Sequence, residues 1–282
     1  MIGRLVTRLL DAQAGWAKPF GDAVHDVLHG FFHRIAPGRD FLNGRWLGHP
    51  LHALLTDVPI GVLTLVILLD VIGQPVAADV ALTLGVLTLL AAALAGLADY
   101  SDTDGAARVR ATIHGTLMSI AVVLYLVSLG LRVSGGERAV PIAVSIVAYL
   151  ILAAGAFTGG DVVYVMGNMV DRHAWRPAGT KWARLEVDEV PEGQPVRAKF
   201  GLQSLVLVRQ GDRIQALHEQ CAHAGGPLSQ GTLVDGCIEC PWHGSRFRLA
   251  DGRAMRGPTV YDQPVYEVRT AEAGGYEARR IS

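Results

Sequence analysis

Four long apolar runs constrain this chain more than any other feature. Leu51–Ile72, Val80–Ala98, Ala111–Leu131 and Ala139–Phe157 each hold about twenty residues, enough for a helix to cross a hydrocarbon layer of roughly 30 Å. In such a layer each backbone N–H and C=O must find its partner within its own segment, so the helix is the expected form. The second and fourth runs carry no charge, His114 interrupts the third, and Asp57 and Asp70 lie near the two ends of the first. A buried bundle in water is the alternative, but its helices would keep a polar face, and these barely do. The expectation is a four-helix transmembrane domain over residues 48–170. Hydrophobic residues make up 50% of the chain and charged ones 18%, and the excess apolarity lies in this region.

Lys and Arg set the expected orientation. Arg34, Arg39, Arg45, Arg108, Arg110, Arg172, Arg176, Lys181 and Arg184 flank one side of the spans, whereas the other side has only Arg132 and Arg138. The positive-inside rule then places both termini in the cytoplasm of a multi-pass cell-membrane protein. Arg4, Arg8 and Asp11 break up any signal-peptide core. With a net charge of −1, no nucleic-acid partner is expected; the bilayer lipid is.

Residues 1–47 read as a separate amphipathic segment lying at the membrane surface, with Val24, Leu28, Phe31, Phe32 and Ile35 at helical spacing. His25, His29 and His33 form an adjacent stripe, which fits either metal ligation or a plain row of neutral histidines facing the boundary.

Ionisable groups within spans are costly and raise a functional question. His49, His52, Asp57, Asp99 and His114 all fall on the expected cytoplasmic side. His52 and His114, on parallel helices, are candidates to ligate a b-type haem or to border a quinone pocket. The plainer alternative is that they hydrogen-bond Asp57, Asp99 or backbone groups at helix ends.

The remaining third of the chain is of ordinary polarity and strand-like. Leu205–Val208 and Ile214–Leu217 flank a Gln210-Gly211-Asp212-Arg213 turn, and Asp251-Gly252 marks another hairpin. Within it stand Cys221-Ala222-His223 and Cys240-Pro241-Trp242-His243. Two Cys–His pairs in tight loops suit a [2Fe–2S] cluster, with two thiolates on one iron and two imidazoles on the other. Tetrahedral zinc takes the same donor set, though Cys-x-His is not the usual zinc-finger spacing. The third cysteine, Cys237, reads as a buried strand thiol.

Residues 182–282 resemble Rieske domains of the ferredoxin or nitrite-reductase-small-subunit type. The likeness rests on Cys221-Ala222-His223-Ala224-Gly225-Gly226-Pro227-Leu228, Cys240-Pro241-Trp242-His243-Gly244-Ser245 and Arg256-Gly257-Pro258. It implies an all-β domain in which Cys221 and Cys240 bind one iron and His223 and His243 the other, with Ser245, Gly257 and Pro258 around the cluster. It further implies that the histidines lie at an exposed tip. High-potential relatives carry an extra cysteine in each loop, forming a disulfide, and a tyrosine two positions after the serine. Gly226, Trp242 and Phe247 stand at those places. The absence of a disulfide fits a reducing compartment, and the potential expected is roughly −150 to +100 mV.

Gly48-His49-Pro50-Leu51-His52, Val58-Pro59-Ile60-Gly61, His114 and Gly159-Gly160-Asp161-Val162-Val163-Tyr164 resemble an uncharacterised bacterial four-helix membrane-domain family over about residues 45–170. In that family a histidine is common where Met166 stands. The expected protein is therefore a fusion of a helical bundle and an all-β domain, joined by a linker at 171–181. Its expected role is that of a membrane-anchored electron carrier serving a redox partner protein or quinone. The alternative is a redox-sensing or structural cluster module. A Rieske oxygenase would also need a mononuclear iron site, and no histidine follows His243. The chain thus reads as a component of an oxidoreductase rather than a stand-alone catalyst.

Overall fold

The computed structural model describes residues 2–175, 180–272 and 274–281, with side chains from residue 5 onward. Arg176 and residues 177–179 of the expected linker therefore lie outside the described residues, as does the Arg4 side chain. The chain divides into two compact units, Met1–Gly38 with Pro50–Asn168 and Arg39–His49 with Met169–Ser282. The segment 1–47 is thus not a separate piece. Its first part packs with the helical unit and its last part with the β unit.

In the helical unit, α1 (Ile2–Asp11) and α2 (Ala14–Arg34) precede α4 (Leu51–Val71), α5 (Pro75–Tyr100), α6 (Gly105–Val133) and α7 (Ala139–Gly160), with α3 (Ala36–Asn43) between α2 and α4. A π-helical turn at Asp161–Val165 extends α7. The four helices α4–α7 are long and apolar enough to cross a membrane. They pack through a thin core of Leu63, Val66, Leu82, Val86, Leu89, Ala121, Tyr125, Ala148 and Leu152. Their outer faces expose Leu68, Val80, Leu87, Val123 and Leu150, while Ser128, Ser145 and Arg132 are buried. Apolar outside and polar inside is the distribution that lipid favours.

At one end of the bundle, Arg132 reaches Asp70 at 2.5 Å and Asp79 at 2.9 Å, and Arg138 joins Asp79 at 2.8 Å. Both arginines counted on the lightly charged side of the spans are therefore paired with carboxylates of α4 and α5. On the other side α2 is held by ion pairs and a tyrosine. Arg108 pairs with Asp22 at 2.8 Å, and the Tyr100 hydroxyl donates to the Gly21 carbonyl at 2.9 Å. A β-carbon on Gly21 would come within 2.3 Å of the Thr112 hydroxyl oxygen, so glycine permits this close approach. Of the predicted apolar stripe on α2, Phe32 is buried, whereas Phe31 and Ile35 remain exposed.

Among its described residues, the second unit carries ten strands, β1 (Ala183–Leu185), β2 (Val196–Phe200), β3 (Gln203–Gln210), β4 (Arg213–His218), β5 (Thr232–Val234), β6 (Cys237–Glu239), β7 (Arg246–Arg248), β8 (Ala254–Arg256), β9 (Val265–Thr270) and β10 (Tyr276–Arg280). A six-stranded sheet runs β1-β10-β9-β4-β3-β2 and a four-stranded one β5-β6-β7-β8. The two predicted hairpins are present. Gln210 pairs with Arg213 across the β3–β4 turn, and β7 pairs with β8 around Asp251-Gly252. Arg39 is fully buried in this unit and donates to the Gly257 carbonyl at 3.0 Å. Arg45 donates to the Ala254 carbonyl at 3.4 Å.

Candidate metal centre

Two loops carry the four predicted ligands, one between β4 and β5 and one between β6 and β7, and they are built alike. The Cys221 N–H donates to the Gly226 carbonyl and Gly225 N–H returns to the Cys221 carbonyl, both at 2.9 Å. The Cys240 N–H donates to the Ser245 carbonyl at 2.8 Å and Gly244 N–H returns to the Cys240 carbonyl at 3.1 Å. Each loop needs a left-handed residue four places after its cysteine, and glycine supplies it at Gly225 (φ 85°) and Gly244 (φ 74°). The backbone N–H groups of His223 and Ala224 point at the Cys221 sulfur, and those of Trp242 and His243 at the Cys240 sulfur.

The loops bring the donors together in pairs. The two sulfurs lie within hydrogen-bond reach of each other, and the imidazoles of His223 and His243 stand edge to face with centroids 5.0 Å apart. Among the described residues, the group of three or more donor atoms that converge within 4.8 Å lies elsewhere. Cys221, Cys240, His223 and His243 therefore do not close on a single tetrahedral centre, which weighs against zinc. A β-carbon on Gly226 would sit 2.8 Å from the Cys240 sulfur and 3.0 Å from the Trp242 ring, so glycine keeps room beside the sulfurs. Gly226 and Trp242, which stand where the high-potential relatives carry a disulfide, thus face each other.

The donor chemistry suits a cationic cluster. Burial in an apolar core pushes the Cys221 thiol well above its ordinary range, and the neighbouring Cys240 sulfur raises it further. A bound iron would favour the ionised form of both sulfurs. The surrounding core is Val206, Leu217, Leu228, Ile238, Phe247 and Leu249. Ser245 is fully buried, and its Oγ accepts from Thr259 N–H at 3.3 Å, which leaves its own proton to donate. Gly257 and Pro258 form the neighbouring loop held by Arg39. The histidines differ from the expected exposed tip: His223 is 4% and His243 8% exposed. They pack against each other, and the Trp242 ring lies 6.4 Å from that of His243. Trp242 itself is 51% exposed.

Cys237 lies on β6, buried, with its thiol toward the Asp235 carbonyl. Sequence reasoning missed Gln263. Its amide donates to the carbonyls of His218 and Gln220 at 2.7 and 2.6 Å and accepts from Ala222 N–H at 2.9 Å, clamping the first loop. Nothing in the sequence around Gln263 marks it, because every partner is backbone. His173, also missed, reaches the Gln220 carbonyl at 2.9 Å.

In the helical unit His52 and His114 do meet, with ring centroids 6.1 Å apart. Their hydrogen bonds go to neither Asp57 nor Asp99. His52 Nδ1 lies 2.8 Å from the Ala92 carbonyl and His114 Nδ1 2.8 Å from the Gly155 carbonyl. A carbonyl only accepts, so each Nδ1 carries the proton and each Nε2 keeps its lone pair. Gly96 and Gly159, one helical turn beyond those carbonyls, give the rings room; a β-carbon on either would lie 2.9 Å from the histidine Cε1. The α4–α5 and α6–α7 hairpins thus hold their histidines in the same way. Asp57 is exposed and Asp99 buried, while His49 belongs to the segment that packs with the β unit.

Paired cysteine and histidine loops on an antiparallel β domain define a Rieske-type iron–sulfur protein. Residues 181–267 match the Rieske [2Fe–2S] domain and residues 48–172 a predicted membrane protein family, DUF2231. The chain belongs to the Rieske [2Fe–2S] family, with a DUF2231 domain on its N-terminal side. It is 31% identical over 98 residues to the anthranilate 1,2-dioxygenase ferredoxin subunit of Burkholderia cepacia, covering 35% of this chain and 85% of that one. It is 35% identical over 80 residues to ferredoxin CarAc of Metapseudomonas resinovorans, 28% of this chain and 75% of that one. A solved ferredoxin of carbazole 1,9a-dioxygenase from Nocardioides aromaticivorans IC177 shares 26% identity over 36% of this chain and 97% of its own, with a TM-score of 0.32. The cofactor is a [2Fe–2S] cluster and the role that of a Rieske electron carrier.

Proposed function

We propose that this chain is a multi-pass membrane protein whose Rieske domain passes single electrons on the cytoplasmic side to or from a partner redox protein. The observation that carries the reading is the pair of identically built loops, which present two thiolates and two imidazoles as separate pairs. The bound cluster supplies one-electron redox chemistry. Cys221 and Cys240 would hold one iron and His223 and His243 the other, while the backbone N–H groups aimed at the sulfurs and the Ser245 hydroxyl offset added negative charge. Four apolar helices favour anchorage, and the Lys and Arg bias favours a cytoplasmic domain. One relative named above is the ferredoxin subunit of anthranilate 1,2-dioxygenase, which favours a protein partner of the oxygenase or reductase kind. Stopped-flow mixing of the reduced protein, in detergent, with candidate acceptors tests the reading. Oxidation within the turnover time of a partner supports it, and a cluster that reoxidises only with dioxygen refutes it.

A second site is favoured by the His52–His114 pair, whose two Nε2 atoms are left with lone pairs by matching backbone hydrogen bonds. That arrangement suits axial ligation of a b-type haem or the edge of a quinone pocket. A Soret band in the purified protein, lost in both His52→Ala and His114→Ala, supports the haem form. No band after haem supplementation leaves quinol oxidation, measured as reduction of the cluster by a quinol analogue, as the remaining form to test.

A further inference from the structure

We propose a divalent transition-metal site at His29, His33 and Asp102 in the helical unit, separate from the cluster and from the His52–His114 pair. The donor atoms of these three residues lie within 4.8 Å of one another. His29 and His33 are one helical turn apart on α2, which puts both imidazoles on one face, with ring centroids 3.8 Å apart. Asp102 comes from the turn after α5, and its side chain has no exposure to solvent. Two elements distant in sequence thus supply a borderline nitrogen-and-oxygen donor set of two imidazoles and one carboxylate, the kind that zinc or ferrous iron accepts with coordination positions to spare.

The local geometry prepares ligands rather than merely pairing charges. His29 Nδ1 lies 3.0 Å from the Ser101 carbonyl. That contact fixes the proton on Nδ1, orients the ring and leaves Nε2 as the donor, the support that metal-bound histidines ordinarily have. His33 Nε2 is 3.7 Å from Asp102 Oδ1. This is too long for a hydrogen bond, yet it matches the separation of two ligands that each bond one cation at about 2.0–2.2 Å. His25, one turn earlier, stacks on His29 at 5.2 Å and pairs with Asp26, so it extends the stripe without joining the group. A metal here would pin α2 to the end of α5. It would take up the one buried carboxylate of the group, while the partly exposed His33 leaves the ion an entry path.

Titration of the full chain in detergent with Zn²⁺, its cluster intact by visible absorbance, tests the site. One zinc per chain is expected, with His29→Ala, His33→Ala and Asp102→Asn each weakening binding by about tenfold or more and His25→Ala leaving it unchanged. X-ray absorption at the zinc edge of the wild-type protein should show nitrogen and oxygen neighbours only, a result that needs no variant to fold. Absence of saturable binding, undiminished binding in a His29→Ala/His33→Ala double variant, or sulfur in the zinc shell would each overturn the proposal. The last would place the zinc on the cluster cysteines instead.

Discussion

The guanidinium of Arg39 donates a 3.0 Å hydrogen bond to the carbonyl of Gly257. It joins a residue before the first apolar helix to a loop beside the cluster cysteines. Arg39 is wholly buried, with Asp40 3.8 Å away, and a β-carbon on Gly257 would lie 2.8 Å from the Asp40 carboxylate. The 39–49 segment is therefore a structural part of the cluster domain. Arg39→Ala should lower that domain's stability by about 2 kcal/mol, the worth of a buried charged hydrogen bond. Arg45→Ala, at a longer and more exposed contact, should cost well under ~1 kcal/mol. Thermal bleaching of the cluster absorbance, followed for both variants, measures the difference.

The cluster potential follows from its donors. Ser245 retains a hydroxyl proton after accepting from Thr259, while Phe247 is fully buried and offers none. A value of roughly −150 to +100 mV is expected. Ser245→Ala should lower it by roughly 60 mV, the one-electron equivalent of a ~1.4 kcal/mol hydrogen bond, and Phe247→Tyr should raise it. Protein-film voltammetry reads both shifts. A wild-type value near about +300 mV, at the top of the Rieske range, would show that counting hydroxyl donors misleads.

Much of this architecture is legible in the sequence because it is locally encoded. The four apolar runs become α4–α7, and the loop pattern of Cys221–Leu228 and Cys240–Ser245 states its own turns through glycine. What escapes is tertiary. The helices α5, α6 and α7 run past the apolar runs, since flanking residues such as 105–110 continue a helix once its partners are in place. The acceptors of His52 and His114 are the backbone carbonyls of Ala92 and Gly155, which no residue type announces. Likewise Gln263 clamps backbone groups of the first loop and of the strand end before it, and Arg39 bonds a loop carbonyl far downstream. The histidine rings, expected at an exposed tip, are buried against each other.

The buried end network of the bundle gives a further test. Arg132, with a side chain 1% exposed, bridges Asp70 at 3% exposure and Asp79. Arg132→Ala leaves the buried Asp70 carboxylate only its 3.5 Å contact with Arg138 and should cost about 3 kcal/mol, the low end for breaking a buried pair. Arg132→Met combined with Asp70→Leu, which removes both charges, should recover most of that loss. Detergent unfolding followed by circular dichroism distinguishes the two outcomes.

The first loop depends on the space that Gly226 leaves beside Cys240. Gly226→Val should strip iron from the protein while leaving the helical content unchanged, because the added side chain would collide with the Cys240 sulfur and the Trp242 ring. Iron content per chain, measured beside the helical signal in circular dichroism, reads this directly.

The central claim is that Cys221, Cys240, His223 and His243 hold a [2Fe–2S] cluster. Electron paramagnetic resonance of the dithionite-reduced protein, with nitrogen couplings resolved by pulsed methods, tests it most directly. The account predicts a one-electron reduced cluster signal coupled to two imidazole nitrogens, and loss of that coupling together with the cluster in His223→Ala or His243→Ala. A protein silent in the reduced state and holding a single zinc on these residues would contradict it.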